Sequence, residues 1–122
     1  MSEEDVAVVR GYREAAKRDL ETELSFFADD VEWVMPGRTV RGIEALREAW
    51  SRPGAGTGSE DLDVELEKGE LEDLGDGRIT TWNRQVFRWK ESGELAYERH
   101  ATIEYLIRDG KIARYEMRIT ET

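Results

Sequence analysis

The sequence of 122 residues contains no cysteine, and this absence excludes three kinds of chemistry. Disulfide bonds, thiolate metal sites and a cysteine nucleophile all require the missing side chain. Histidine is almost as scarce, since His100 is the single example, and a metal centre or a Ser-His-Asp arrangement is therefore poorly supported. We expect a cytoplasmic protein without a metal ion or cofactor.

Long apolar segments and a basic surplus are also missing. No apolar run approaches the roughly 20 residues that span a membrane, and the first five residues, MSEED, are acidic where a secretory leader is basic. Acidic residues outnumber basic ones by 28 to 18, giving a formal charge of −10. Because this balance repels phosphate backbones and anionic lipids, we expect neither nucleic acid nor a membrane surface as a partner.

Helical patterns occupy the N-terminal part of the sequence. The pattern Ser2-x-x-Asp5 has the form of a capping box and predicts the start of a first helix. Asp19 is expected to cap a second helix that includes Phe27. Residues 42–50 carry apolar side chains at helical spacing and predict a third helix.

Strand patterns dominate the rest of the chain. Strands are expected over the following segments: 31–35, 62–71, 79–90, 95–107 and 112–120. The glycine-rich segment 51–60 has no Gly-Lys-Ser/Thr sequence after it, so we interpret it as a surface loop, with a lid as a further hypothesis. The length fits one domain, residues 1–122. Helices followed by strands predict an α+β fold, with the helices packed on a strongly curved antiparallel or mixed sheet.

Side-chain alternation in the last two strands predicts which face is buried. Apolar side chains occupy the odd positions of both strands, so odd residues should face the core. A two-residue turn between the strands would bring charged side chains of one strand beside apolar side chains of the other. We therefore predict a three-residue turn at 108–110, which pairs Ile103 with Tyr115 and Glu104 with Arg114.

The same reading of the preceding turn brings polar groups onto the inner face. It places Gln85 beside Arg99 and Asn83 beside Ala101. An unpaired buried polar group costs about 1–3 kcal/mol, and a charge costs more. This cluster therefore favours a pocket that holds water, a counter-charge or a ligand. The alternative is that Arg99 reaches past the sheet edge or pairs with a helix carboxylate such as that of Glu14.

The outward face of the predicted sheet is interleaved with arginine and glutamate, a pattern typical of a solvated, ion-paired surface. His100 belongs to this face, so a surface role is favoured over catalysis. Trp82 and Val86 interrupt the charges, which suggests that part of the face contacts a second copy of the chain.

Several short motifs follow one another in a familiar order. They are RDL at 18–20, FADDVEW at 27–33, PG at 36–37, RGIEAL at 41–46 and IRDGKI at 107–112. With Tyr12 in the first helix, they make nearly the whole chain resemble the SnoaL-like proteins of the nuclear transport factor 2-like superfamily. The resemblance implies a cone-shaped fold, a pocket between the helices and the concave sheet, and commonly a homodimer through the sheet.

The resemblance does not extend to the catalytic groups of enzymes in this superfamily. Met35 stands where ketosteroid isomerases have their base carboxylate, Gly11 where they have an oxyanion tyrosine, and Ile103 near their second acid. Thr120 stands where SnoaL-like cyclases often have an aspartate, and Ala101 where limonene epoxide hydrolases have an acid. Because each departure removes a proton-transfer group, none of these activities is transferred to this chain.

Three functions remain open on the sequence alone. The first is a binding module for a small hydrophobic or amphipathic molecule with a carboxylate or carbonyl group, which Arg99 would anchor. The second is an isomerase, lyase or hydrolase acting on a polyketide-, steroid- or terpenoid-like substrate through Arg99 and Tyr12. The third is a structural dimer whose pocket is closed. The expected pocket residues are Tyr12, Trp33, Met35, Trp50, Asn83, Gln85, Phe87, Tyr97, Arg99, Ile103, Tyr105, Tyr115 and Met117.

Overall fold

Three helices and a curved seven-stranded sheet make up the part of the chain that the structure, a computed structural model, describes, which is residues 3–55 and 59–121. In chain order the elements are α1 (Glu3–Ala15), α2 (Leu20–Leu24), β1 (Phe27–Met35), β2 (Arg38–Arg41), α3 (Ile43–Trp50), β3 (Leu62–Lys68), β4 (Glu72–Gly75), β5 (Arg78–Trp89), β6 (Leu95–Arg108) and β7 (Lys111–Glu121). Ser2 of the predicted capping box and residues 56–58 of the predicted loop and lid lie outside the described residues.

The sheet is mixed, as the α+β prediction allowed. Its strand order is β2-β1-β7-β6-β5-β3, and β4 also pairs with β5. All pairs are antiparallel except β1 with β7, which run parallel. This parallel pair joins the strand that follows the first two helices to the last strand, so the N-terminal helices are held near the C-terminal strands.

The second helix is shorter than predicted. Asp19 caps it, because its Oδ1 accepts a hydrogen bond of 2.8 Å from the backbone N–H of Thr22. The helix ends at Leu24, however, and Phe27 is wrong as a helical residue because it begins β1. The carbonyl of Phe26 accepts a hydrogen bond of 2.8 Å from the N–H of Ile112, which draws this segment into the sheet.

The turn between β6 and β7 also differs from the prediction. Asp109 and Gly110 both have positive φ, of 53° and 74°, and form a two-residue turn. The ladder then shifts at Leu106–Ile107, which leaves Ala113 as an extra residue. On the turn side of this bulge Ile112 is buried beside Ile107, and beyond it Tyr115 and Met117 lie on the inner face beside Tyr105 and Ile103.

The bulge changes the partners that we predicted across β6 and β7. Ile103 pairs with Met117 instead of Tyr115, and Glu104 pairs with Glu116 instead of Arg114. Glu104 forms its ion pair with Arg78 of β5 instead, at a distance of 3.2 Å. The predicted turn length was wrong because alternation shows which face a residue occupies but not where an extra residue is accommodated.

The register of β5 against β6 agrees with the prediction where the polar residues lie. Gln85 pairs with Arg99 and Asn83 with Ala101. Buried residues recur at odd positions along this part of β5, which confirms the predicted inner face. On the outer face, His100 lies opposite Arg84 and is about half-exposed.

Candidate functional site

A cavity of about 570 Å³ lies between the helices and the inner face of the sheet. Twelve of the residues expected in the pocket contribute to its wall: Tyr12, Trp33, Met35, Trp50, Asn83, Gln85, Phe87, Arg99, Ile103, Tyr105, Tyr115 and Met117. A volume of this size lies within the range of small-molecule sites.

Tyr97 is the expected pocket residue that does not line the cavity. Its side chain is 42% exposed, and its ring stacks on Phe87 with centroids 4.4 Å apart. The pair of Tyr97 with Phe87 lies two pairs beyond that of Gln85 with Arg99, toward the exposed turn that joins β5 and β6. Its odd-numbered position on the inner face of β6 was therefore not enough to bring its side chain into the cavity.

Aromatic side chains form the apolar part of the wall. The ring of Trp33 on β1 stacks on Tyr115 of β7, with centroids 3.7 Å apart and planes inclined by 6°. Trp50 of α3 meets Trp33 edge to face at 4.7 Å. The parallel pairing of β1 with β7 sets Trp33 directly beside Tyr115. A planar apolar ligand would find flat faces and edges of aromatic rings in this wall.

A directional chain of hydrogen bonds crosses the polar part of the wall. Arg99 Nε donates to Gln85 Oε1 at 2.6 Å, and Gln85 Nε2 donates to Asn83 Oδ1 at 3.1 Å. Arginine has only donors, so Gln85 must present its oxygen to Arg99 and its amide nitrogen to Asn83. The amide nitrogen of Asn83 and the outer nitrogens of Arg99 donate no hydrogen bond to another described residue, so the strip has donors to offer an acceptor.

Arg99 differs from the arginines on the other face of the sheet. Each of Arg78, Arg84, Arg88, Arg114 and Arg118 forms an ion pair with a glutamate. Arg99 forms none within the described residues, and its guanidinium carbon lies 5.1 Å from the centroid of Phe87. The predicted alternative, a pair with Glu14, is not formed, since Glu14 contacts Lys17.

Three tyrosines of the cavity wall have hydroxyls that resist ionisation. Burial raises the pKa of Tyr105 to about 12 and raises the pKa of Tyr115 still further. Burial, then the neighbouring Tyr105 and Tyr115, raise the pKa of Tyr12 well above its ordinary value. These groups are therefore neutral hydrogen-bond donors at physiological pH. Arg13 lies beside Tyr105 and donates hydrogen bonds of 3.1 Å to the Gly69 carbonyl and to Thr81 Oγ1.

Charged residues that sequence reasoning missed also line the cavity. They are Arg13, Arg18, Asp19, Glu23 and Lys68. Burial raises the pKa of the Glu23 carboxyl, and burial followed by repulsion from Arg13 and Lys17 lowers the pKa of Lys68. Lys68 could have been found from the alternation of Leu62, Val64 and Leu66, which it continues on the inner face.

Two features are absent from the described residues, a cluster of metal-ligating side chains and a membrane-spanning helix. Within residues 3–55 and 59–121, no group of three or more His, Asp or Glu side chains is placed to hold a metal ion. In the same ranges, no helix is both long enough and apolar enough to cross a membrane.

An α+β chain whose helices cover the inner face of a curved mixed sheet, with a cavity between them, has the architecture of the nuclear transport factor 2-like proteins. The family model for the SnoaL-like domain matches residues 8–115. The chain therefore belongs to the SnoaL-like family, as its motifs indicated. No match is found among proteins with curated descriptions.

Solved structures show the same fold at low sequence identity. A nuclear transport factor 2-like protein of Burkholderia xenovorans LB400 is 23% identical, with a TM-score of 0.76, and the match covers 98% of this chain and 92% of that one. TerC, crystallised with polyporic acid, is 24% identical over 96% of this chain and 92% of its own, with a TM-score of 0.73. A candidate polyketide cyclase of Xanthomonas campestris pv. campestris is 20% identical over 93% and 88%, with a TM-score of 0.71.

Proposed function

We propose that this chain binds a small, largely apolar molecule that carries a carboxylate or carbonyl group, with that group held by Arg99. The hydrogen-bond chain from Arg99 through Gln85 to Asn83 is the observation that carries the proposal. It leaves donors of Arg99 and Asn83 on the cavity wall, and no carboxylate of the described residues forms an ion pair with Arg99. A carboxylate or carbonyl oxygen satisfies such donors, and the aromatic wall suits the rest of the ligand.

Binding is measured by quenching of tryptophan fluorescence, because Trp33 and Trp50 line the cavity. The first probes are 2-naphthoate, biphenyl-4-carboxylate and polyporic acid, the compound with which TerC was crystallised. Arg99→Met keeps the apolar stem and removes the charge, and we expect it to weaken binding roughly tenfold or more, because a hydrogen bond to a charged group contributes about 1.5–3 kcal/mol. Arg118→Met on the outer face is the matched control and should leave affinity unchanged. Equal affinities of the two variants would overturn the proposal.

An isomerase, lyase or hydrolase acting on a polyketide-, steroid- or terpenoid-like substrate is the second candidate. It is favoured by the neutral hydroxyls of Tyr105 and Tyr115 near Arg13, since such donors can stabilise negative charge developing on a carbonyl oxygen. Mass spectrometry of compounds incubated with the protein separates the two functions. A product that forms with the wild-type chain and not with Arg99→Met supports the enzyme.

The remaining proposals concern the whole chain. We propose that residues 1–122 act as one domain and that two copies associate through the outer sheet face, supported by the exposure of 47% at Trp82 among ion-paired residues. A cytoplasmic location stays a prediction, and cell fractionation tests it.

A further inference from the structure

Glu23 and Lys68 are two charged groups of the cavity wall for which the described residues supply no direct partner. Glu23 lies on α2 and Lys68 at the end of β3, and both line the cavity. Neither side chain forms an ion pair or a hydrogen bond with another residue in the described part of the chain. Glu23 is half-buried, whereas Lys68 is exposed to solvent. Each attracts the other through space, and the partial loss of water around each group raises the pKa of Glu23 and lowers the pKa of Lys68.

Lys68 lies at a defined position relative to the polar strip that holds Arg99. It pairs with Asn83 across β3 and β5, and Arg99 pairs with Gln85 across β5 and β6. Lys68 and Arg99 are therefore separated by two strand spacings, roughly 10 Å, with a further offset of about 7 Å along the strands. A molecule of two aromatic rings spans a separation of this order, so one ligand can reach both places.

Electrostatics narrows the kind of ligand group that suits the space beside Glu23 and Lys68. A second carboxylate would be attracted by Lys68 and repelled by Glu23. An amine would be attracted by Glu23 and repelled by Lys68 and Arg13. A hydroxyl is neutral and can donate to the carboxylate while it accepts from the ammonium group.

We infer that Glu23 and Lys68 form a second subsite of the cavity, which binds a hydroxyl group of a ligand whose acidic or carbonyl group is held at Arg99. The ligand class is accordingly that of hydroxylated aromatic acids or ketones. This inference rests on the proposed binding function and specifies which members of the ligand class bind best.

The test compares acids that differ only at the far end of the ring system. The pairs are 6-hydroxy-2-naphthoate with 2-naphthoate, and 4′-hydroxybiphenyl-4-carboxylate with biphenyl-4-carboxylate. The wild-type protein should bind the hydroxylated member of at least one pair about tenfold more tightly, which is the scale of hydrogen bonds to charged groups. Glu23→Gln and Lys68→Met should each reduce this preference to less than about threefold, where the preference is the ratio of the two affinities measured with the same variant.

A third probe distinguishes the subsite from a general loss of stability. Naphthalene-2,6-dicarboxylate should bind the wild-type protein more weakly than the hydroxy acid, and it should bind Glu23→Gln more tightly than wild type because the repulsion is gone. Glu65→Gln, on the outer face of β3 and paired with Arg88, is the matched control and should change neither result.

The outcomes separate this inference from the proposed function. Equal affinities within both pairs for the wild-type protein, or a preference that survives Glu23→Gln, would overturn the hydroxyl subsite alone. Failure of all of these acids to bind, or binding that Arg99→Met does not weaken, would overturn the proposed function as well.

Discussion

The phenols of Tyr12, Tyr105 and Tyr115 meet at the inner wall, where centroids lie 6.1 Å apart for the first pair and 5.4 Å apart for the second. Ionisation of any of them would place a negative charge in a poorly solvated space beside two other phenols. The folded protein therefore binds these protons more tightly than the unfolded chain does. The stability that they contribute is present below their ordinary pKa of about 10 and is lost as the pH rises toward the folded values.

Alkaline titration tests this arrangement. The chain has four tyrosines, and at about pH 11 we expect no more than one of them to be ionised in the folded protein, because that pH is below the pKa of about 12 of Tyr105. The phenolate absorbance in the near ultraviolet measures the ionised number. The same titration in denaturant is the control and should show all four ionised. Two or more phenolates in the folded protein would contradict the burial described above.

Individual residues of the site could be predicted to different degrees. Arg99, Gln85 and Asn83 were found because strand alternation assigns each residue to a face. Glu23 and Lys68 were missed because charged side chains of the helices and of β3 were assigned to solvent. Two sequence patterns indicated their positions. Glu23 follows Leu20 at i, i+3 spacing, which puts both on one helix face, and Lys68 continues the even-numbered apolar positions of β3.

At the scale of elements, the turn between β4 and β5 shows how tightly one strand connection is packed. Gly75, Asp76 and Gly77 all have positive φ, of 87°, 55° and 78°. The carbonyl of Gly77 accepts a hydrogen bond of 2.7 Å from the N–H of Ile107. A Cβ at Gly77 would lie 2.4 Å from the carbonyl oxygen of Ile107, whereas a Cβ at Gly75 would meet nothing within 4 Å.

Substitution of the two glycines should therefore have unequal effects. Gly75→Ala should lower the free energy of unfolding by about 1–2 kcal/mol, the cost of the left-handed conformation for a residue with a Cβ. Gly77→Ala should lower it by clearly more, because backbone atoms of β6 must also move. Urea denaturation of both variants measures the difference. Equal losses would show that the contact at Ile107 relaxes without cost.

Helices and strands were predicted from local sequence patterns, and the errors arose where a strand pairs with another strand that is distant in sequence. The long strands β5 and β6 were located because their alternation is continuous. The short strand β2 was missed because its pairing with β1 is not encoded in four residues of alternation. The parallel contact of β1 with β7 joins residues that are distant in sequence, such as Trp33 and Tyr115, and no local pattern predicts it.

At the scale of the whole molecule, net charge and the outer face act against each other. Two copies that each carry a formal charge of −10 repel one another over the distance that salt leaves unscreened. Trp82, on the outer face of β5, presents an apolar surface that is 47% exposed. Association through this face requires that apolar burial exceed the repulsion.

The dimer proposal follows from this balance and is tested by light scattering during gel filtration. We expect the wild-type chain to be a dimer whose association strengthens as salt rises through the physiological range, because the repulsion is screened. Trp82→Lys should give a monomer, since it replaces the apolar surface with a charge. Trp89→Lys is the matched control, because Trp89 is 46% exposed but lies at the end of its strand, and it should remain dimeric. A monomeric wild type at every salt concentration would rule out the proposal.

The extra residue at Ala113 has a consequence for how this architecture can change. Phe27, at the start of β1, is aligned with Ile112 on the turn side of Ala113, whereas Trp33 is aligned with Tyr115 on the other side. The bulge at Ala113 therefore separates two contacts of β7 with β1. One holds the start of β1, which follows the first two helices, and the other forms the aromatic wall of the cavity. Insertions or deletions near the Asp109–Gly110 turn could be absorbed at the bulge, so relatives could differ in this connection and still present the same aromatic surface to their ligands.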